Sequence, residues 1–83
     1  MKKVTIYSMK VCPYCVRAKA LLKSRGIEFH EIILDEDDVT AWEELYEKSK
    51  MRTVPQIFCD GKLVGGHTEL EALSRLDGLI SLS

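Results

Sequence analysis

Apolar and polar positions along the chain change rhythm several times, and each change marks an element. Lys3 to Ser8 is rich in Val, Thr, Ile and Tyr and reads as a strand. Pro13 to Arg25 reads as a helix: Cys15, Ala18, Leu21 and Leu22 share one face, and Arg17, Lys19 and Lys23 lean outward. Pro13 suits a first helical position, where its missing N–H would be unpaired anyway, and Gly26 is a natural stop. Glu28 to Leu34 predicts a second strand. The acidic run Asp35-Glu36-Asp37-Asp38 leads into a second helix with Val39, Trp42, Leu45 and Tyr46 on its inner face. Its acidic opening and its closing Lys48 and Lys50 complement the backbone dipole, and Glu44 and Lys48 stand one turn apart as a favourable pair.

After Pro55, Gln56-Ile57-Phe58-Cys59 predicts a third strand. Asp60-Gly61 is a two-residue hairpin turn whose positions must both accept positive φ, and Lys62-Leu63-Val64 returns as a fourth strand. Gly65-Gly66 breaks the chain. Thr68-Glu69-Leu70-Glu71 has capping-box spacing and opens a third helix with Leu70, Leu73 and Leu76 on its buried face. Gly78 ends it, and Leu79, Ile80 and Leu82 form an apolar tail. The order βαβ, α, ββα predicts an α/β architecture. A right-handed crossover makes two parallel strands, the hairpin adds two antiparallel ones, and three helices flank the resulting four-stranded mixed sheet.

At 83 residues the chain is expected to form a single domain, 1–83. The net charge of −1 gives no strong field toward nucleic acid or an anionic membrane, so neither is expected as a partner. No run is apolar and long enough to cross a bilayer. Lys2 and Lys3 look like the start of a signal peptide, but Val4-Thr5-Ile6-Tyr7-Ser8 is too short and polar for its apolar part. A cytoplasmic location is expected.

The three cysteines stand at 12, 15 and 59. In a cytosolic protein a C-x-x-C pair points to metal binding or redox work rather than to a structural staple. A zinc site wants four ligands, often as two such pairs. Only Cys59, His30 and His67 remain, and they form no second pair. No metal is therefore expected, and a C-x-x-C between a first strand and its helix reads as redox-active. The spacing brings both sulfurs onto one helical face. Cys12, before the helix, lies over unpaired N–H groups that favour its thiolate, the attacking form. Cys15, one turn inside, suits the resolving role. Cys59 reads as a small apolar residue, and His30 as structural.

Cys12-Pro13-Tyr14-Cys15, then Thr53-Val54-Pro55-Gln56-Ile57-Phe58, then Gly65-Gly66, resemble the dithiol glutaredoxins of bacterial type in order and spacing, from Val4 to about Gly78. The resemblance implies a thioredoxin-like fold and glutathione as reductant and co-substrate, with no tightly bound cofactor. It also implies reduction of protein disulfides and protein–glutathione mixed disulfides, with ribonucleotide reductase a typical client, and a monomeric protein. Read alone, Pro55 is a trans proline opening a strand; the resemblance implies a cis proline facing the cysteines. Val54 would then pair its backbone with glutathione like an added strand, beside Thr53 and Pro55.

Gly66, His67, Thr68 and Glu69 supply a second helix N-terminus, which alone reads equally as a cap or as a carboxylate site. The resemblance implies the latter, for the γ-glutamyl end of glutathione, contacted at Thr68 and Glu69. Relatives often carry a cysteine followed by Ser or Asp where this chain has His67 and Thr68. Arg52 is implied to meet the glycine carboxylate, and Tyr14 to touch the bound peptide. Relatives commonly have a lysine three residues before the first cysteine; here that place is Met9, and Lys10 is expected to serve from the next position. Two rivals remain. A thioredoxin would carry Gly-Pro between its cysteines, not Pro-Tyr. An iron–sulfur carrier would usually have a small residue where Pro13 stands.

Overall fold

The computed structural model describes residues 2–82. Strand β1 (Val4–Met9) leads to helix α1 (Pro13–Ser24), strand β2 (His30–Leu34), helix α2 (Val39–Ser49), strands β3 (Gln56–Cys59) and β4 (Lys62–Gly65), helix α3 (His67–Asp77) and a 3₁₀ turn at Ile80–Leu82. The sheet order is β2-β1-β3-β4. β1 and β2 are parallel, with Tyr7 beside Ile32. β1 and β3 are antiparallel, with Ile6 beside Ile57 and Tyr7 beside Gln56. The β3–β4 hairpin turns on Asp60 and Gly61, at φ 51° and 82°. This is the four-stranded mixed sheet expected from the order of elements, in the thioredoxin-like arrangement the resemblance implies.

Because side chains alternate across a strand, β1 faces two cores. Val4, Ile6 and Ile57 pack with Ala18, Leu22 and Leu70 beneath α1 and α3. Leu34, Leu45 and Phe58 pack with Tyr7, Trp42 and Val54 beneath α2. Fully burying a side chain such as Ile6, Leu22 or Ile57 contributes about 1.5–3 kcal/mol. The C-terminal tail closes the first core: Leu79 and Leu82 are buried, while Ile80 faces out.

Several local expectations need correction. β2 begins at His30 rather than Glu28. Leu76 is 84% exposed and Val39 64% exposed, not inward-facing. Residues three apart on a helix lag by about 60°, so two such steps carry Leu76 away from Leu70, and Ser74 takes the buried place. Val39 stands six residues before the buried Leu45 and drifts likewise. No acidic residue occupies the first turn of α2; instead Asp38 is the N-cap and accepts from the Ala41 N–H at 3.1 Å. Lys50 in the left-handed region closes that helix, and it pairs with Glu47 at 3.4 Å, in place of the expected Glu44–Lys48 pair. Helix α3 starts two residues early. Gly66 is its N-cap, and the Glu69 carboxylate accepts the Gly66 N–H at 2.7 Å, so Thr68 lies within the first turn.

No helix among the described residues is long and apolar enough to cross a membrane.

Candidate active site

The site is assembled where β1 ends and α1 begins. Cys12 has extended backbone (φ −152°, ψ 98°) and is the N-cap of α1, with Pro13 at the first helical position. Its carbonyl accepts from the Val16 N–H at 3.1 Å. Its sulfur accepts from the Cys15 N–H at 3.2 Å, so a cysteine does here what Ser or Asp does at other helix starts. Cys12 and Cys15 are joined in a disulfide with their Cα atoms 5.2 Å apart. The two sulfurs are unequal. Cys12 is partly exposed, whereas Cys15 is 1% exposed, one turn into the helix.

When the pair is reduced, the surroundings of Cys12 favour its thiolate. The Cys15 N–H already points at the sulfur, and the positive end of α1 lies against it. The first turn of α1 holds no acidic residue. No Asp or Glu occurs in the chain before Glu28, so β1 and α1 bring only cations.

A second loop faces the pair. The Val54–Pro55 peptide is cis, and the Val54 carbonyl oxygen stands 3.9 Å from Cys12 Sγ. Val54 precedes β3, so its N–H and C=O lie outside the ladder of the sheet. The loop is anchored from below by Gln56, which is fully buried. Gln56 Nε2 donates to the Met51 carbonyl at 3.2 Å and the Thr53 carbonyl at 2.8 Å. Ser49 Oγ accepts from the Met51 N–H at 3.0 Å. Among the described residues Gln56 Oε1 is buried without a hydrogen-bond partner, an arrangement that costs about 1–3 kcal/mol.

Tyr14, Thr53, Val54, Pro55, Gly66, His67, Thr68 and Glu69 line one groove of about 250 Å³, together with Met51. One wall is closed by the Tyr14 ring, 5.4 Å from that of His67, with the Arg17 guanidinium over its other neighbourhood at 5.3 Å. Another wall is the start of α3. There Gly65 has φ 132°, and a Cβ on it would stand 2.6 Å from Glu69 Cβ, so the β4–α3 turn requires glycine. Lys10 and Arg52 are outside this set. Lys10 is exposed in the β1–α1 loop. The Arg52 guanidinium rests 4.0 Å from the centre of the Tyr46 ring, on α2.

Sequence reasoning missed Met51, Ser49 and the role of Gln56. The last had a visible signal: one polar amide opening the otherwise apolar run of β3. Cys59 lies at the opposite end of β3, where burial, reinforced by the charge of Asp60, raises its thiol above the ordinary range. It is a poor nucleophile there. Among the described residues no group of three or more His, Cys, Asp or Glu is placed to hold a metal ion. A larger depression bounded by Val4, Lys23, Ile27 and Phe29 is at the other end of β1 from the redox pair.

A C-x-x-C disulfide capping the first helix, against a cis-proline loop on a mixed four-stranded sheet, defines a thiol–disulfide oxidoreductase with a thioredoxin-like fold. Comparison with known proteins narrows this class. The glutaredoxin family model matches residues 4–64. Glutaredoxin 3 of Escherichia coli is 46% identical over 79 residues, covering 95% of this chain and 94% of its own. The crystal structure of glutaredoxin 1 from Francisella tularensis, complexed with cacodylate, superposes with TM-score 0.79 at 38% identity, covering 92% of this chain and 95% of that one. The buckwheat glutaredoxin–glutathione complex superposes with TM-score 0.88 at 28% identity, covering 98% of this chain and 76% of that one. The chain belongs to the glutaredoxin family, and it is a glutathione-dependent thiol–disulfide oxidoreductase acting through Cys12 and Cys15.

Proposed function

We propose that the chain is a single glutaredoxin domain, 1–83, that reduces both protein–glutathione mixed disulfides and protein disulfides in the cytoplasm, as a monomer, with ribonucleotide reductase among its clients. Neither nucleic acid nor a membrane takes part, and glutathione enters as co-substrate rather than as a bound cofactor. The observation that carries this reading is the partly exposed Cys12 sulfur, held by the Cys15 N–H and facing the main chain of Val54.

The chemistry is two thiol–disulfide exchanges. The Cys12 thiolate attacks a disulfide, a Cys12–substrate bond forms, and the other thiolate leaves and takes a proton from water. If the substrate half is glutathione, a second glutathione thiolate attacks it, releasing oxidised glutathione and the Cys12 thiolate. If it is a protein, Cys15 attacks Cys12 and the client leaves reduced; two glutathiones then reduce the Cys12–Cys15 bond.

Glutathione lies along the groove. Its cysteine residue pairs with the Val54 N–H and C=O as an added strand does, flanked by Thr53, Pro55 and Tyr14. The γ-glutamyl carboxylate meets the N–H groups opening α3 at Thr68 and Glu69, since the Gly66 N–H is already given to the Glu69 carboxylate. The Glu69 oxygen not engaged by Gly66 accepts from the ligand's ammonium. Lys10 and Arg52 answer the glycine carboxylate, Arg52 by leaving Tyr46.

A coupled assay with glutathione, glutathione reductase and a glutathionylated peptide tests the reading. Turnover dependent on glutathione is expected. Turnover supported by thioredoxin reductase instead, with none from glutathione, would overturn it.

A further inference from the structure

Resting on that reading, we propose that Gln56 is a positioning residue for substrate: its buried amide holds the loop before it so that Val54 offers its main chain to glutathione in a fixed register. Val54 has no sheet ladder of its own to hold it. The chain entering it is held instead by side chains, chiefly that of Gln56. Gln56 Nε2 donates to the carbonyls of Met51 and Thr53, on either side of Arg52, at 3.2 and 2.8 Å. Met51 is tied in turn to the last turn of α2 through Ser49 Oγ, which also donates to the Leu45 carbonyl at 3.1 Å. The direction of the main chain into Val54 is therefore set jointly by the end of α2 and the first residue of β3.

The chemistry of the amide supports this purpose over simple packing. Gln56 is fully buried, on the side of the sheet that holds Tyr7 and Phe58, and its Oε1 has no partner among the described residues. An apolar residue of similar shape would fill the place without a lone acceptor. Two convergent carbonyls, however, demand a group with two N–H donors and no charge, and Gln and Asn alone supply it among side chains. The same two carbonyls fix which way the amide faces, since a flipped amide would turn oxygen toward oxygen.

Gln56→Met in the full chain keeps the volume and removes both donors. The KM for a glutathionylated peptide should rise about tenfold, about 1.4 kcal/mol of binding. The pH profile of Cys12 alkylation should move little, because the N–H that donates to that sulfur belongs to α1 and the Val54 carbonyl is a long contact at 3.9 Å. Ile57→Val, on the opposite face of the sheet, should lower the Tm with KM within twofold. Gln56→Glu keeps the shape and adds a pH signature. Its carboxylate repels both carbonyls, whereas its protonated form can donate to one, so its KM relative to the unmodified protein should improve as pH falls. A Gln56→Met protein that melts lower yet binds with unchanged KM would reduce Gln56 to packing. Should Gln56→Met not fold, a KM ratio for Gln56→Glu that stays flat with pH overturns the assignment. Loss of glutathione-dependent turnover in the unmodified protein would strike the proposed function itself, and is read separately.

Discussion

Replacing Cys15 by Ser should split the two activities rather than weaken both. The donor that holds the Cys12 sulfur is the main-chain N–H of residue 15 at 3.2 Å, which Cys15→Ser leaves in place. The attacking thiolate is therefore kept. What is lost is the resolving thiol, whose Cα lies 5.2 Å from that of Cys12 and whose sulfur is already within bonding reach of it. Well-oriented intramolecular partners reach effective concentrations of about 10⁵–10⁸ M. If strain and imperfect alignment left Cys15 only about 1 M of that advantage, it would still outpace glutathione at about 1 mM by roughly a thousandfold. Protein-disulfide reduction by Cys15→Ser should thus fall by about three orders of magnitude and become first order in glutathione. Reduction of a glutathionylated peptide, which glutathione itself can resolve, should stay within about tenfold of the unmodified rate. Parallel turnover assays on an intact protein disulfide and on the peptide, each across a glutathione series, give both numbers. Cys12→Ser should abolish both. Equal losses on the two substrates in Cys15→Ser would refute the division of labour.

Thiolate absorbance followed against pH in Cys15→Ser should show Cys12 ionising well below an ordinary cysteine, and an ordinary titration would sink the helix-terminus account. Glu31 accepts from Lys19 and Ser8, both at 2.7 Å, and those bonds hold its carboxyl below the usual value of 4.5. Its contribution is therefore present above that value and lost as pH falls through the lowered one. Glu31→Gln should cost on the order of 1 kcal/mol at neutral pH, with the gap from the unmodified protein closing below pH 4.5 in denaturant titrations. Gly65→Ala, at φ 132° and against Glu69 Cβ, should cost about 1–3 kcal/mol, and a Tm within experimental error of the unmodified protein would contradict the close approach. Lys10→Gln should raise the KM for glutathione, less so at high salt; if only Arg52→Gln does so, the glycine carboxylate belongs to Arg52.

Signals carried by a single residue or a dipeptide were read correctly from the chain. Pro13 behind Cys12 marked the start of α1, Gly26 its end, and Asp60-Gly61 the hairpin, because each acts through its own backbone geometry. The start of α3 was not legible, because Gly66 and Glu69 have the same spacing as Thr68 and Glu71. The choice between them falls to the turn at Gly65, which carries the chain close to Glu69. Leu76 and Val39 were misplaced because steps of three drift round a helix when the true period is 3.6. The groove-lining residues came largely from motif resemblance, and their convergence needs the sheet to bring residues 12–15, 53–55 and 66–69 together. Arg52 could not be placed at all from the sequence, since its nearest aromatic face, Tyr46, belongs to the preceding helix.

The unequal exposure of the two sulfurs gives the oxidised protein a handedness of reaction. An incoming thiolate can line up with the S–S axis only from the Cys12 side, so Cys12 is the electrophile and Cys15 the leaving group. The departing charge is then released inside the first turn of α1, on an atom sheltered from water. Solvent cannot stabilise it; the positive end of the α1 dipole can. The same short stretch of main chain thus serves both directions of electron flow: it favours the nucleophile when the protein gives electrons and eases the leaving group when it takes them.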